Sequence, residues 1–242
     1  IGASAFLGIP LKGFSSDINF IHNLIDNTKK NVDGCMFGFA SSKIKTVRVG
    51  IIGMGNRGNT LLEMFQYLIE KNMAEITALS DITEQKVNKS AEKLANFQSN
   101  KPDLYYKDEN EWKKLTKRSD IDLVIIATPW DLHSPMSIYA MENNKHVACE
   151  VPISSTIEDC WKIIETSERT KKHCMMMENC NYNEEELWVL NMIQEGVFGD
   201  LTHAEGAYLH DLRALMLHQT YYHGQWRLHE HAERNGNFYT TH

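Results

Sequence analysis

The run Val47–Gly58, VRVGIIGMGNRG, constrains this chain more than any other stretch. An apolar, strand-like segment meets Gly53-x-Gly55-x-x-Gly58 and passes straight into a helical pattern through Leu61, Leu62, Phe65 and Leu68. Strand, glycine turn and helix in that order make the first part of a dinucleotide-binding unit. The first glycine permits the tight turn, the second lets the backbone approach a pyrophosphate, and the third lets the helix pack closely on the strand. The helix N-terminus then presents free N–H groups and a positive dipole end to an anion. A second strand-like run, Glu75 to Ser80, ends at Asp81, where a carboxylate meets ribose hydroxyls. An acid there with no arginine beside it selects NAD over NADP, whose 2′-phosphate it would repel. Asp81 is also suited to cap a helix that begins near Thr83 and Glu84.

From Thr46 onward apolar runs alternate with helical periodicity, which predicts an α/β fold with a doubly wound parallel sheet. Strands are expected over 47–52, 75–80, 102–106, 122–127, 146–149 and 173–177. Helices are expected to follow Gly58 and to cover about 84–96, 109–115, 133–143 and a segment capped by Thr156 that reaches Thr170. After Asn181 the pattern changes to a helix over 184–195, a turn at Gly196 to Gly199, and an alternation over 201–209 that predicts a half-solvated strand. The expected organisation is an N-terminal arm (1–45), a Rossmann NAD-binding domain (46–180) and the start of an α+β substrate-binding domain (181–242).

At 242 residues, 42% hydrophobic and 24% charged, the chain can bury a sizeable core. Its net charge of −7, with only isolated basic pairs such as Lys113–Lys114 and Lys171–Lys172, argues against nucleic acid as a partner. The five cysteines form neither a CxxC pair nor an even framework and read as buried thiols. Ile1 to Ile9 is apolar and too short to span a bilayer, so stable membrane insertion is not expected. That run reads either as the remnant of a signal peptide or as a buried segment, so the expected location is the periplasm after export, otherwise the cytoplasm.

In an open α/β sheet the ligand lies beyond the carboxyl ends of the strands. The residues found there are Asn56, Arg57, Asp81, Thr128, Pro129, Trp130, Asp131, Leu132, His133, Glu150, Val151, Pro152 and Asn179, and they are expected to line one crevice. Trp130 is suited to stack on a cofactor ring and His133 to hydrogen-bond to it. The alternative is that Trp130 fills core and His133 merely opens the next helix. Of 11 histidines, seven lie from His203 onward. His229-x-His231 with Glu230 and Glu233 invites a metal reading, but its spacing is too loose to converge on an ion and no metal is expected. Arg227 and the segment Tyr239 to His242 read as polar groups facing a substrate.

The motifs TPWDLH, CEVP and MMMENC after successive strands, followed by HAEGAYLHDLR, GQWRLHEH and NGNFYTTH, resemble the glucose-fructose oxidoreductase/inositol dehydrogenase superfamily. More narrowly, they are similar to its NAD-dependent glycosidase branch, the glycoside hydrolase family 109 α-N-acetylgalactosaminidases. The common dehydrogenases of the superfamily carry a Lys between Glu and Pro in the fifth-strand motif; here that position is Val151. The resemblance implies that Gly53, Gly55, Asn56, Arg57, Gly58, Asp81, Trp130, Asp131, Leu132, His133, Glu150, Val151 and Asn179 hold NAD. It implies that Tyr208, Arg227, Tyr239, Thr240, Thr241 and His242 hold the sugar, with Tyr239 and His242 as candidates for proton transfer. The implied reaction is redox-neutral: oxidation at C3 of N-acetylgalactosamine, elimination across C1 and C2, water addition and re-reduction. A net sugar or cyclitol dehydrogenase and a non-catalytic NAD-binding module are the alternatives. Family members are longer than this chain, so the second domain is expected to be incomplete, and its open edge favours association, including formation of a homo-oligomer.

Overall fold

The computed structural model describes residues 35–36, 38–178, 180–207 and 211–234. The expected N-terminal arm through residue 34, and the site candidates Asn179, Tyr208, Tyr239, Thr240, Thr241 and His242, lie outside the described residues. The chain divides into two compact units: Ala40–Met177, and Ile1–Phe39 together with Glu178–His242.

The Ala40–Met177 unit is built on a six-stranded sheet of β1 (Val47–Ile52), β2 (Ala74–Ser80), β3 (Asp103–Tyr105), β4 (Leu123–Ile126), β5 (His146–Cys149) and β6 (Cys174–Met176). Every neighbouring pair is parallel and the order is β3-β2-β1-β4-β5-β6. This is the doubly wound Rossmann arrangement, whose strand order reverses between β1 and β4. The connecting helices are α1 (Asn56–Met64), α2 (Gln66–Glu70), α3 (Glu84–Leu94), α4 (Glu111–Thr116), α5 (His133–Glu142) and α6 (Ile157–Thr170). The single helix expected after the glycine turn is broken at Phe65, and α2 turns the chain back toward β2.

Strands covered on both faces need apolar side chains on both, and β1 and β4 meet that demand. Val49 and Ile51 pack with Leu61 and Leu62 of α1 and Val87 and Leu94 of α3. Ile52, Val124, Ile126, Val147 and Cys149 pack with Leu115 of α4, Met136, Ala140 and Met141 of α5, and Ile163 of α6. Thr156 caps α6 as expected, its hydroxyl accepting from the Asp159 N–H at 3.1 Å. Burial holds the Cys149 thiol well above its ordinary pKa and pushes Cys174 up to about 12, so both stay protonated. The expectation of buried thiols holds fully for Cys149, while Cys35, Cys174 and Cys180 are partly buried and Cys160 is exposed.

Two polar side chains complete the framework. Gln98 is buried and bonds both backbone groups of Ile76, its Oε1 accepting from the Ile76 N–H at 2.8 Å and its Nε2 donating to the Ile76 carbonyl at 2.9 Å. Since β3 pairs with β2 only from Ala78 onward, the amide stands in for a missing strand neighbour. At the amino end of the sheet, Asp122 accepts from the Arg48 guanidinium at 2.6 and 2.9 Å, which holds the Asp122 carboxyl below the usual carboxylate range.

The other unit, among its described residues, contains a 3-10 turn at Cys180–Tyr182, then α7 (Glu184–Gln194), α8 (Arg213–Met216), a second 3-10 turn at His223–Gln225, and α9 (Trp226–Arg234). The strand expected over 201–209 is a correction: residues 201–207 adopt no strand. Alternation alone does not make a strand, because its backbone groups need a ladder partner, and the described residues of this unit are helices, turns and irregular chain.

Candidate functional site

The glycine turn lies at the carboxyl end of β1, beside the strand-order reversal. Gly53 has φ +92°, a left-handed conformation, and a Cβ there would stand 2.5 Å from the Ala127 carbonyl oxygen. A Cβ on Gly58 would fall 1.8 Å from the Gly53 carbonyl oxygen, so α1 can pack against the turn only without a side chain at that position. Above Gly55 there is open space, a Cβ built there meeting nothing within 4 Å beyond its own chain neighbours. The first turn of α1 carries no acidic residue and no side-chain cap, which leaves its N–H groups and positive dipole end for an anion. The site therefore fits a pyrophosphate.

Side chains brace this turn from two directions. The Asp81 carboxylate, at the end of β2, accepts from the Met54 N–H at 2.8 Å through Oδ2 and from the Thr83 N–H at 2.8 Å through Oδ1. Each oxygen retains lone-pair capacity for a ribose hydroxyl, so the backbone role and the cofactor role are compatible. Asn59 donates to the Met54 and Gly55 carbonyls at 2.9 and 3.0 Å, and its own oxygen accepts from the Ser90 hydroxyl at 3.0 Å. Neither Asn59 nor Ser90 was expected from the motif. The available signal was a polar Ser90 on the same face of α3 as buried Val87 and Leu94.

Arg57 and Glu150, both expected at the cofactor, are also paired with each other. The Arg57 Nε donates to Glu150 Oε1 at 2.6 Å, joining the start of α1 to the loop after β5. Glu150 is 9% exposed, so removal of Arg57 would leave a nearly buried carboxylate without its counter-charge. Val151 beside it is buried, and no lysine stands between Glu150 and Pro152.

Beyond Thr128 and Pro129, the TPWDLH segment divides into two buried and two exposed members. Trp130 opens a 3-10 turn and is buried in the protein, which favours the core-filling alternative over a ring free to stack. His133 is 1% exposed and spends both ring nitrogens on backbone carbonyls, Nδ1 at 2.7 Å from Pro152 and Nε2 at 2.8 Å from Thr128. Asp131 and Leu132 are the exposed members, and Asn56 is exposed at the start of α1.

In the other unit Arg227 donates to the Tyr222 hydroxyl at 3.0 Å, with its guanidinium 5.3 Å from the Tyr222 ring centre and 6.0 Å from that of Trp226. His229 and His231 are exposed on α9, two residues apart and so not facing one ligand, while Glu230 is held by Arg234 at 2.6 Å. Among the described residues no group of three or more His, Cys, Asp or Glu side chains can hold a metal ion, and no helix is long and apolar enough to cross a membrane.

Comparison with known proteins agrees with this geometry. Residues 47–178 match the oxidoreductase family with an NAD-binding Rossmann fold, and residues 182–242 match the C-terminal domain of glycosyl hydrolase 109. A glycosyl hydrolase family 109 protein from Shewanella sp. strain MR-4 is 44% identical over 214 residues, covering 88% of this chain and 46% of that protein. An alpha-N-acetylgalactosaminidase from Shewanella oneidensis is 45% identical over 207 residues, covering 86% of this chain and 44% of the relative. The chain thus spans less than half the length of the curated relatives it matches. Among solved structures, the WlbA dehydrogenase of Chromobacterium violaceum, in complex with NADH and UDP-GlcNAcA, has the same fold: TM-score 0.58 at 21% identity, over 66% of this chain and 43% of that one. The glycine cradle, the strand-end carboxylates and these matches together mean that the chain belongs to the NAD-binding glucose-fructose oxidoreductase/inositol dehydrogenase superfamily, in its glycoside hydrolase family 109 branch.

Proposed function

We propose that this chain carries the NAD-binding part of a glycosidase that removes terminal α-linked N-acetylgalactosamine without net oxidation. The observation that carries the reading is the 45% identity to the alpha-N-acetylgalactosaminidase, which extends over both the cofactor domain and the start of the second domain. When bound, NAD supplies an acceptor that takes a hydride from the sugar and can return it.

The chain's own groups hold and orient. The first turn of α1 takes the pyrophosphate, and Asp81 takes the adenosine ribose while bracing the turn. Glu150, neutralised by Arg57, keeps the loop after β5 in place without a lysine at Val151 to relay the proton of a sugar hydroxyl. That substitution disfavours an ordinary sugar dehydrogenase and suits a site whose proton transfers come from elsewhere. Arg227, packed over Tyr222 and Trp226, offers donors beside ring faces, a combination suited to sugar hydroxyls and C–H surfaces. Tyr208 and Tyr239 to His242 complete the proposed sugar site. An imidazole at His242 and a phenol at Tyr239 serve the proton steps, since an imidazole both accepts and returns a proton near neutral pH.

The test is to incubate the NAD-loaded chain with a chromogenic α-N-acetylgalactosaminide and follow aglycone release and NADH absorbance together. Release with no accumulating NADH is the expected result. Accumulating NADH would mean a net dehydrogenase, and bound NAD with neither signal would reduce the chain to a binding module.

A further inference from the structure

His133 makes more polar contacts than the first residue of α5 needs. Its ring lies between the loop after β4 and the loop after β5, 2.8 Å from the Thr128 carbonyl oxygen and 2.7 Å from that of Pro152. Both partners are carbonyls, which accept hydrogen bonds and have no proton to give. A neutral imidazole carries one N–H, so it bonds one loop and turns a lone pair toward the other carbonyl. Only the imidazolium bonds both. Burial opposes that charge and lowers the pKa of His133 below its ordinary value, while the two carbonyls and the carboxylates of Glu150 and Asp131 favour the charged form. Glu150 faces it from the end of β5 with Arg57 as its own partner, and Asp131 from the turn before α5.

The remaining ties around the crevice do not depend on a proton in this way. Asp81 joins the end of β2 to the glycine turn, and Arg57 with Glu150 joins α1 to the loop after β5. The Glu150 N–H also donates to the Ile126 carbonyl at 2.9 Å where the two strands end, and His133 extends that tie into the loops through contacts that change with a proton.

We propose that His133 is a positioning residue for NAD: it fixes the spacing of the β4 and β5 loops, and NAD binding draws in the second proton that completes the bridge. The inference goes beyond the glycosidase reading and rests on NAD binding alone. Linkage is reciprocal, so if binding takes up a proton, acid must tighten binding, by at most about tenfold per pH unit.

The experiment is a calorimetric titration of the chain with NAD between pH 8 and pH 5.5, in buffers of different ionisation enthalpy, alongside His133→Gln and His133→Phe. The wild type is expected to take up a fraction of a proton on binding and to bind more tightly as the pH falls. Glutamine keeps one N–H donor and does not titrate, so it should retain part of the affinity and lose the pH dependence. Phenylalanine makes neither bond and should weaken binding about tenfold or more. A residue that merely supports the fold would lower the melting temperature of both variants and leave NAD affinity and its pH profile intact, and that result would overturn the proposal. Should neither variant fold, nitrogen-15 spectra of the His133 ring in the wild type decide. Two protonated nitrogens with NAD and one without are expected; a single protonated nitrogen in both states would overturn it.

Discussion

A methyl group at position 58 would have to occupy the space of the Gly53 carbonyl oxygen, 1.8 Å away. Neither atom belongs to a flexible side chain, so the turn and α1 must separate. Gly58→Ala is therefore expected to lower stability by at least about 1–3 kcal/mol, the usual cost of overpacking, and to weaken NAD binding more than tenfold in whatever remains folded. Urea unfolding together with an NAD titration checks both, and unchanged values in the two would remove the assigned role of the turn. The importance of Gly53 and Gly58 was legible in the sequence because each does its work through the backbone close to it, whereas Asp81, expected to cap the next helix, leaves the N-cap to Thr83 and accepts from the Met54 and Thr83 N–H groups. The fate of His133 and Trp130 was not legible. The partners of the His133 ring are the Thr128 and Pro152 carbonyls, groups that every residue has, and no choice of side chain at those positions announces the contact.

At the scale of elements, the parallel strands were readable because burial on both faces demands uninterrupted apolar runs, as in Leu123–Ile126. The division of α1 from α2, and the use of Gln98 as a substitute strand neighbour, were not readable, since both follow from where the chain must go after β1 and where β3 stops pairing. The β5–β6 edge carries a pH dependence. The His146 Nδ1 accepts from the His173 N–H at 3.0 Å, which requires an unprotonated nitrogen, and the rings stack at 5.2 Å. Burial first, then Lys172 and His173, lowers the His146 pKa. With the folded value below the unfolded one, the unfolded chain binds the proton first, so stability is present above about pH 6.5 and is lost as the pH falls from there toward the folded value. His133 contributes in the same direction. Unfolding midpoints measured at pH 7.5 and 5.5 should fall with acid in the wild type and fall less in His146→Gln, which keeps an acceptor without titrating. Equal slopes in the two proteins would contradict the assignment.

For the whole molecule, every described residue assigned to NAD lies within Ala40–Met177, and the described sugar candidate Arg227 lies in the other unit. Scanning calorimetry is expected to resolve two transitions, with NAD raising one of them. At a free concentration a hundred times its dissociation constant, NAD should add about 2.7 kcal/mol to the unit that binds it. A single transition moved as a block would mean that the units unfold together. The double engagement of Asp81 carries a consequence for how such a protein can diversify. Exchanging the acid for a small or basic residue, the obvious route to accepting a 2′-phosphate, would also strip the Met54 and Thr83 N–H groups of their acceptor. With Asp81 proposed at the ribose, the choice of cofactor and the architecture of the turn fall to one side chain, so a lineage cannot revise the first without rebuilding the second.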